Sequence, residues 1–144
     1  MLVQQLLKSK PDQVVVTVKP GTSLAKAAEI LALKRIGAVI VSPDGSHVAG
    51  ILSERDIVRE LGKRGVGCMS DKVDDVMTAK IVGCAASDTV DQVMQAMTAG
   101  RFRHMPVMED EVMIGLISIG DVVKAQISEI AMEKQALEHM IMGH

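Results

Sequence analysis

GILSERDIV at residues 50 to 58 and GLISIGDVV at residues 115 to 123 spell one constellation twice: Gly, two aliphatics, Ser, two variable residues, Asp, two aliphatics. The duplication extends well beyond these windows. One constant offset sets Val16 on Val82, Leu24 on Val90, Arg35 on Arg101, Val41 on Val107 and Asp44 on Asp110. After a single-residue gap in the second copy, Gly50, Ser53, Asp56 and Val58 fall on Gly115, Ser118, Asp121 and Val123. A tandem repeat constrains the architecture before any element is assigned, because each copy must build the same unit. The copies span 14–61 and 80–126, with an N-terminal segment at 1–13, a linker at 62–79 and a C-terminal helix at 127–144.

Each copy reads strand, helix, strand, turn, strand, helix, an α+β pattern. VVVTV at 14 to 18 is β-branched and ends at KPGTS, whose Pro, Gly and Thr stop a strand and offer a helix cap. Leu24, Ala27, Ala28, Leu31 and Ala32 then recur at helical spacing, as do Val90, Val93, Met94 and Met97 in the second copy. GAVIVS and HVAGILS flank the turn PDGS, and HMPVM and VMIGLIS flank EDE, so each copy carries a hairpin. A unit of fewer than about 50 residues buries too little surface to be comfortably stable alone, and two copies packed face to face solve that. The linker is rich in Gly and charge before becoming helix-compatible at DKVDDVM, which suits a short packed arm. Beyond Gln126, Ile127, Ile130, Ala131, Lys134, Leu137 and Ile141 mark an amphipathic helix whose stripe needs a partner, this chain's own domain or a second subunit.

Composition narrows the function. The chain has 144 residues, a formal net charge of −2 and no Trp or Tyr, so it offers neither a basic footprint nor aromatic platforms for nucleic acid. Its aliphatic runs, such as GAVIV at 37 to 41, fall far short of the roughly 20 residues of a membrane span. The N-terminus lacks a signal-peptide pattern, and a cytoplasmic location is expected. Cys68 and Cys84 have no CxxC spacing or neighbouring His, which leaves a zinc site unsupported and two inert thiols as the plain expectation.

Ser53-x-x-Asp56 and Ser118-x-x-Asp121 each precede an apolar helix, and two explanations fit them. One is a capping box, in which Ser accepts from an early backbone N–H and the acid favours the first turn. The other is a ligand site. Gly50 and Gly115, three residues earlier in a strand, mark a close approach to the backbone. A strand turning into a helix N-terminus presents N–H groups to an anion, and a short acid there can take the hydroxyls of a ribose. Cations also gather in the second copy, where RFRHMPV carries Arg101, Arg103 and His104 and the RIGAV of the first carries only Arg35. They are either a solvated strand start or a phosphate clamp. In the first copy Arg55, inside SERD, is either a clamp residue or a surface residue.

A doubled strand-helix-strand-strand-helix unit ending in Gly, two aliphatics, Ser and Asp resembles the cystathionine β-synthase (CBS) domain pair, or Bateman module. VDDVMT at 73 to 78 is similar to the lead-in before such repeats, GILSERDIVREL resembles the first repeat of stand-alone pairs, and FRHMPV matches a strand typical of them. The resemblance implies two repeats related by pseudo-twofold symmetry, two clefts for adenosine ligands, and a homodimer. It implies Ser118 at phosphate or ribose, Asp121 at ribose, and Arg103 and His104 at phosphate, with Met105 and Pro106 continuing that strand beside the ligand. Gly120 would let the ligand approach. Ser53, Arg55 and Asp56 would serve the first cleft, where Gly37 and Ala38 stand in place of Arg103 and His104. Backbone groups of Thr17, Val18 and Lys19, and of the segment around Cys84, would meet the adenine. AMP is the foremost expected ligand, with ATP, NAD(H) and S-adenosylmethionine as alternatives.

The resulting expectation is a non-catalytic sensor that reports nucleotide occupancy to an unnamed downstream protein. Two other classes compete: an assembly adaptor in which both Ser-x-x-Asp pairs are only caps and the C-terminal helix docks a partner, and a thiol enzyme acting through Cys84 or Cys68.

Overall fold

Each duplicated segment folds into its own small sheet and helices in the computed structural model, which describes residues 1–10 and 14–142. The last residues assigned to the N-terminal segment and to the C-terminal helix, 11–13 and 143–144, lie outside the described residues. The elements in chain order are α1 (Val3–Ser9), β1 (Thr17–Val18), α2 (Leu24–Lys34), β2 (Ala38–Val41), β3 (Gly50–Ser53), α3 (Glu54–Arg64), two 3₁₀ turns (Val66–Ser70 and Val73–Asp75), α4 (Val90–Gly100), β4 (His104–Glu109), β5 (Val112–Ser118) and α5 (Ile119–Ile141).

One compact unit comprises residues 14–82 and 109–114. Its sheet runs β1-β2-β3, with β1 parallel to β2 and β2 antiparallel to β3. The β-branched run at 14 to 18 pairs as a strand only at Thr17 and Val18, opposite Ile40 and Val41 of β2. Val16 still takes part through its carbonyl, which accepts the Ile40 N–H at 3.2 Å. Helix α2 starts at Ser23, whose hydroxyl accepts the Lys26 N–H, and buries Leu24, Ala27 and Leu31 on one face. The 3₁₀ turn at Val73–Asp75 buries Val73 in this core beside Leu24, Val39, Val41 and Leu52. It is pinned there by backbone bonds from Leu24 N–H to the Asp71 carbonyl (2.9 Å) and from Val73 N–H to the Thr22 carbonyl (2.8 Å).

The other unit comprises residues 1–10, 83–108 and 115–142. Its first strand shrinks to one bridge, Cys84 with Val107, beside the hairpin β4-β5. The tip of that hairpin, 109–114, groups with the first unit, and its two turn residues, Asp110 and Glu111, both have positive φ (50° and 69°), as a tight two-residue turn requires. Helix α4 is capped by Thr89 and buries Val90, Val93 and Met97. Helix α1 buries Val3 and Leu6 against them, docked by bonds from Val3 N–H to the Asp88 carbonyl (2.9 Å) and from Val90 N–H to the Met1 carbonyl (3.0 Å). The N-terminal segment therefore does for the second repeat what the linker does for the first. The short helix that precedes each repeat completes the core of the other one.

The second helix of the second repeat and the C-terminal helix are one element, α5, running without a break from Ile119 to Ile141.

Candidate functional site

Both Ser-x-x-Asp turns form reciprocal capping boxes. Asp56 N–H donates to Ser53 Oγ (3.2 Å) and Ser53 N–H donates to Asp56 Oδ2 (2.9 Å). Asp121 N–H donates to Ser118 Oγ (3.1 Å) and Ser118 N–H donates to Asp121 Oδ2 (2.9 Å). The strand-to-helix junction needs these bonds, because the first N–H groups of a helix have no partner within it. Capping leaves capacity for a ligand. A serine hydroxyl that accepts one bond still has its own proton to donate, and a carboxylate has about four acceptor positions.

The neighbouring strand reaches each turn at one point. Glu54 N–H donates to the Gly37 carbonyl (2.9 Å), and Ala38 pairs with Ser53, so Gly37, Ala38, Ser53 and Asp56 come together. In the second repeat Ile119 N–H donates to the Arg103 carbonyl (2.8 Å), which brings Arg103 and half-buried His104 beside Ser118 and Asp121. Gly120 is exposed in the first turn of α5, and Arg55 is exposed in the first turn of α3.

Other candidate residues lie further from the turns. The register sets Val18 opposite Val41, with Lys19 beyond it, so these two stand about 10–13 Å along the sheet from Ala38. Thr17, opposite Ile40, is nearer, and Val16 and Val15 precede it toward the turn. Cys84 likewise pairs beside Pro106 and Val107, its N–H donating to the Pro106 carbonyl at 3.0 Å. Met105 and Pro106 are buried, Met105 in the core with Cys84.

Burial, with the charge of Asp88 adding to it, pushes the Cys84 thiol up to about 11. A thiol in that range is protonated near neutral pH and is a poor nucleophile, which weighs against thiol chemistry at Cys84. Among the described residues no group of three or more His, Cys, Asp or Glu is placed to hold a metal ion.

The two glycines three residues ahead of each Ser have a packing role. A Cβ on Gly50 would meet Met77, with Cγ at 2.7 Å, and a Cβ on Gly115 would meet Leu7, with Cδ2 at 2.8 Å. The close approach expected at these positions is made by the side chains of the two lead-in segments.

Lys10 is the site residue that inspection of the repeat motifs overlooks. Its Nζ donates to Asp121 Oδ2 (2.9 Å) and to the Leu116 carbonyl (2.8 Å), both contacts half-buried. Partial burial pulls the Asp121 carboxyl upward, but the Ser118 N–H and the Lys10 ammonium outweigh it and hold the group below its ordinary value. The first repeat differs here: Asp56 Oδ1 accepts from Arg59 Nη1 of its own helix (3.3 Å). A signal for Lys10 does exist, since VQQLLKSK at 3–10 and VDDVMTAK at 73–80 begin with Val and end with Lys at equal spacing.

A CBS domain family model matches residues 7–63 and 73–128. The chain belongs to the CBS-domain family. A crystal structure of a CBS-domain containing protein from Agrobacterium tumefaciens is 44% identical to it, with a TM-score of 0.83, covering 88% of this chain and 99% of that one. The CBS domain-containing protein CBSX3 of Arabidopsis thaliana, whose name describes it as mitochondrial, is 39% identical over 121 residues, or 81% of this chain. This chain spans 59% of that relative's length. The CBS domain pair of protein MJ0100, solved in complex with 5-methylthioadenosine and S-adenosyl-L-methionine, shares the fold at 23% identity and a TM-score of 0.76, covering 90% of this chain and 98% of that one. This CBS pair carries, among its described residues, no helix long and apolar enough to cross a membrane.

Proposed function

We propose that this CBS pair is a regulatory module that binds an adenine nucleotide, AMP foremost, and reports its occupancy to a partner protein. The observation that carries this is the second-repeat turn, where a capped Ser118, the carboxylate of Asp121, and Arg103, His104 and Lys10 lie at one helix N-terminus. Asp121 accepts from the ribose hydroxyls. The Ser118 hydroxyl, the first N–H groups of α5 and the basic side chains receive the phosphate. The surplus of positive groups favours AMP, ATP or NAD(H) over S-adenosylmethionine, whose sulfonium brings a cation. The first repeat has Gly37 and Ala38 where the second has Arg103 and His104, so its turn suits a less charged part of a ligand. The adenosyl ligands of the MJ0100 pair support the same ligand class.

The module catalyses nothing in this account. It works as a cytoplasmic homodimer whose ligand binds two arrangements with different affinities and thereby shifts their balance. The reciprocal capping boxes are also what an assembly adaptor would need, and that is the second reading. Calorimetric titration separates the two. Saturable AMP binding that is lost in Asp121→Ala supports the sensor, and no binding at millimolar nucleotide supports the adaptor.

A further inference from the structure

Ala125 is the last buried residue of α5, yet the helix continues to Ile141, about four more turns. A helix of that length is marginal in water unless its apolar face is packed. Val123, Ile127, Ile130, Leu137 and Ile141 are all exposed, and with Lys134 they recur at alternating steps of four and three. That spacing is the seam of a two-helix coil. At about 100° per residue the seam lies roughly a third of a turn away from Val122 and Ala125, which face the helix's own core. The unit that holds α5 therefore leaves the seam uncovered.

We propose that the seam is closed by the same seam of a second copy of this chain, with the two helices antiparallel and their twofold axis at Met132. In that register Val123 faces Ile141 of the second copy, Ile127 faces Leu137, and Ile130 faces Lys134, whose aliphatic stem covers it while the ammonium reaches water. The charges select both partner and direction. Antiparallel pairing brings Lys124 beside Glu138 of the second copy at both ends of the seam and Ala131 beside Ala131, and its one like-charge contact, Glu133 facing Glu133 near the axis, is flanked by the two Lys134 ammoniums. Parallel pairing would set Lys134 against itself within the seam and Glu133 beside Glu138, two repulsive arrangements. This pairing does not depend on nucleotide binding.

Sedimentation of the full chain at tens of micromolar, with circular dichroism to confirm folding, tests the surface. The wild type sediments as a dimer, and Ile130→Asp or Leu137→Asp weakens association by at least about a hundredfold, because each buries a charge in an apolar seam. Direction is read separately by cysteine cross-linking in an otherwise intact helix, with a low background since Cys68 and Cys84 are buried. Ala131→Cys forms an intermolecular disulfide or short bis-maleimide link, and Ile141→Cys does not. A monomeric wild type, a dimer indifferent to both aspartates, or a link at Ile141→Cys without one at Ala131→Cys overturns the proposal.

Discussion

Lys10 Nζ lies 2.9 Å from Asp121 Oδ2, so a residue ahead of both repeats supplies the counter-ion of a carboxylate in the second. The same ammonium donates to the Leu116 carbonyl, which fixes it over the end of β5. Lys10→Met removes both bonds and leaves Asp121 without its neutralising neighbour. The expected cost is about 1–2 kcal/mol of stability, measured by denaturant unfolding. Arg59→Met in the first repeat costs less, because Arg59 is exposed and its bond to Asp56 is longer at 3.3 Å.

Acid stability should carry the signature of the same pair. Asp121 is held below its ordinary value in the folded chain and returns to about 4 on unfolding. The unfolded state therefore binds more protons in that window, and stability rises with pH through it. The contribution is fully present above about pH 4 and fades as pH falls through the depressed folded value. In Lys10→Met the acid limb of a stability–pH profile flattens. An unchanged limb would mean that the ion pair does not set the carboxyl's proton affinity.

Gly50 and Gly115 permit contacts that a methyl group would block. Gly50→Ala forces Met77 to move at Cγ as well as at sulfur, and is expected to cost about 1–3 kcal/mol. Gly115→Ala meets only the tips of Leu7 and costs less. A double-mutant cycle with Met77→Ala checks the cause: the Gly50→Ala penalty shrinks when Met77 is already shortened.

The Cys84 thiol, pushed up to about 11 by burial, should resist alkylation at neutral pH in the folded chain and react readily once unfolded. Rapid labelling of Cys84 in the native state, followed by peptide mapping, would revive the thiol-enzyme alternative.

Much of this was legible in the sequence, and the exceptions share a cause. The repeat, both hairpins, the stripes of α2 and α4 and the Ser-x-x-Asp turns are local patterns, and the chain builds them where the spacing places them. VVVTV reads as a full strand because β-branched residues favour extension, but strand length depends on a partner, and β2 pairs with only its last two residues. Leu7, Lys10 and Met77 belong to segments outside the repeat motifs. Their contacts with Gly115, Asp121 and Gly50 span long stretches of chain, and no local periodicity encodes them. Gly50 and Gly115 were marked by their absent side chains, while what fills the space could be identified only from the fold.

The most direct test of the sensor is calorimetric titration of the purified chain with AMP, repeated on Asp121→Asn, which can keep the bond from the Ser118 N–H while losing the charge. The account predicts saturable binding to the wild type and at least a tenfold weaker affinity in the variant, about 1.4 kcal/mol. Equal affinity in the two proteins, or no binding to the wild type at millimolar AMP, would contradict it.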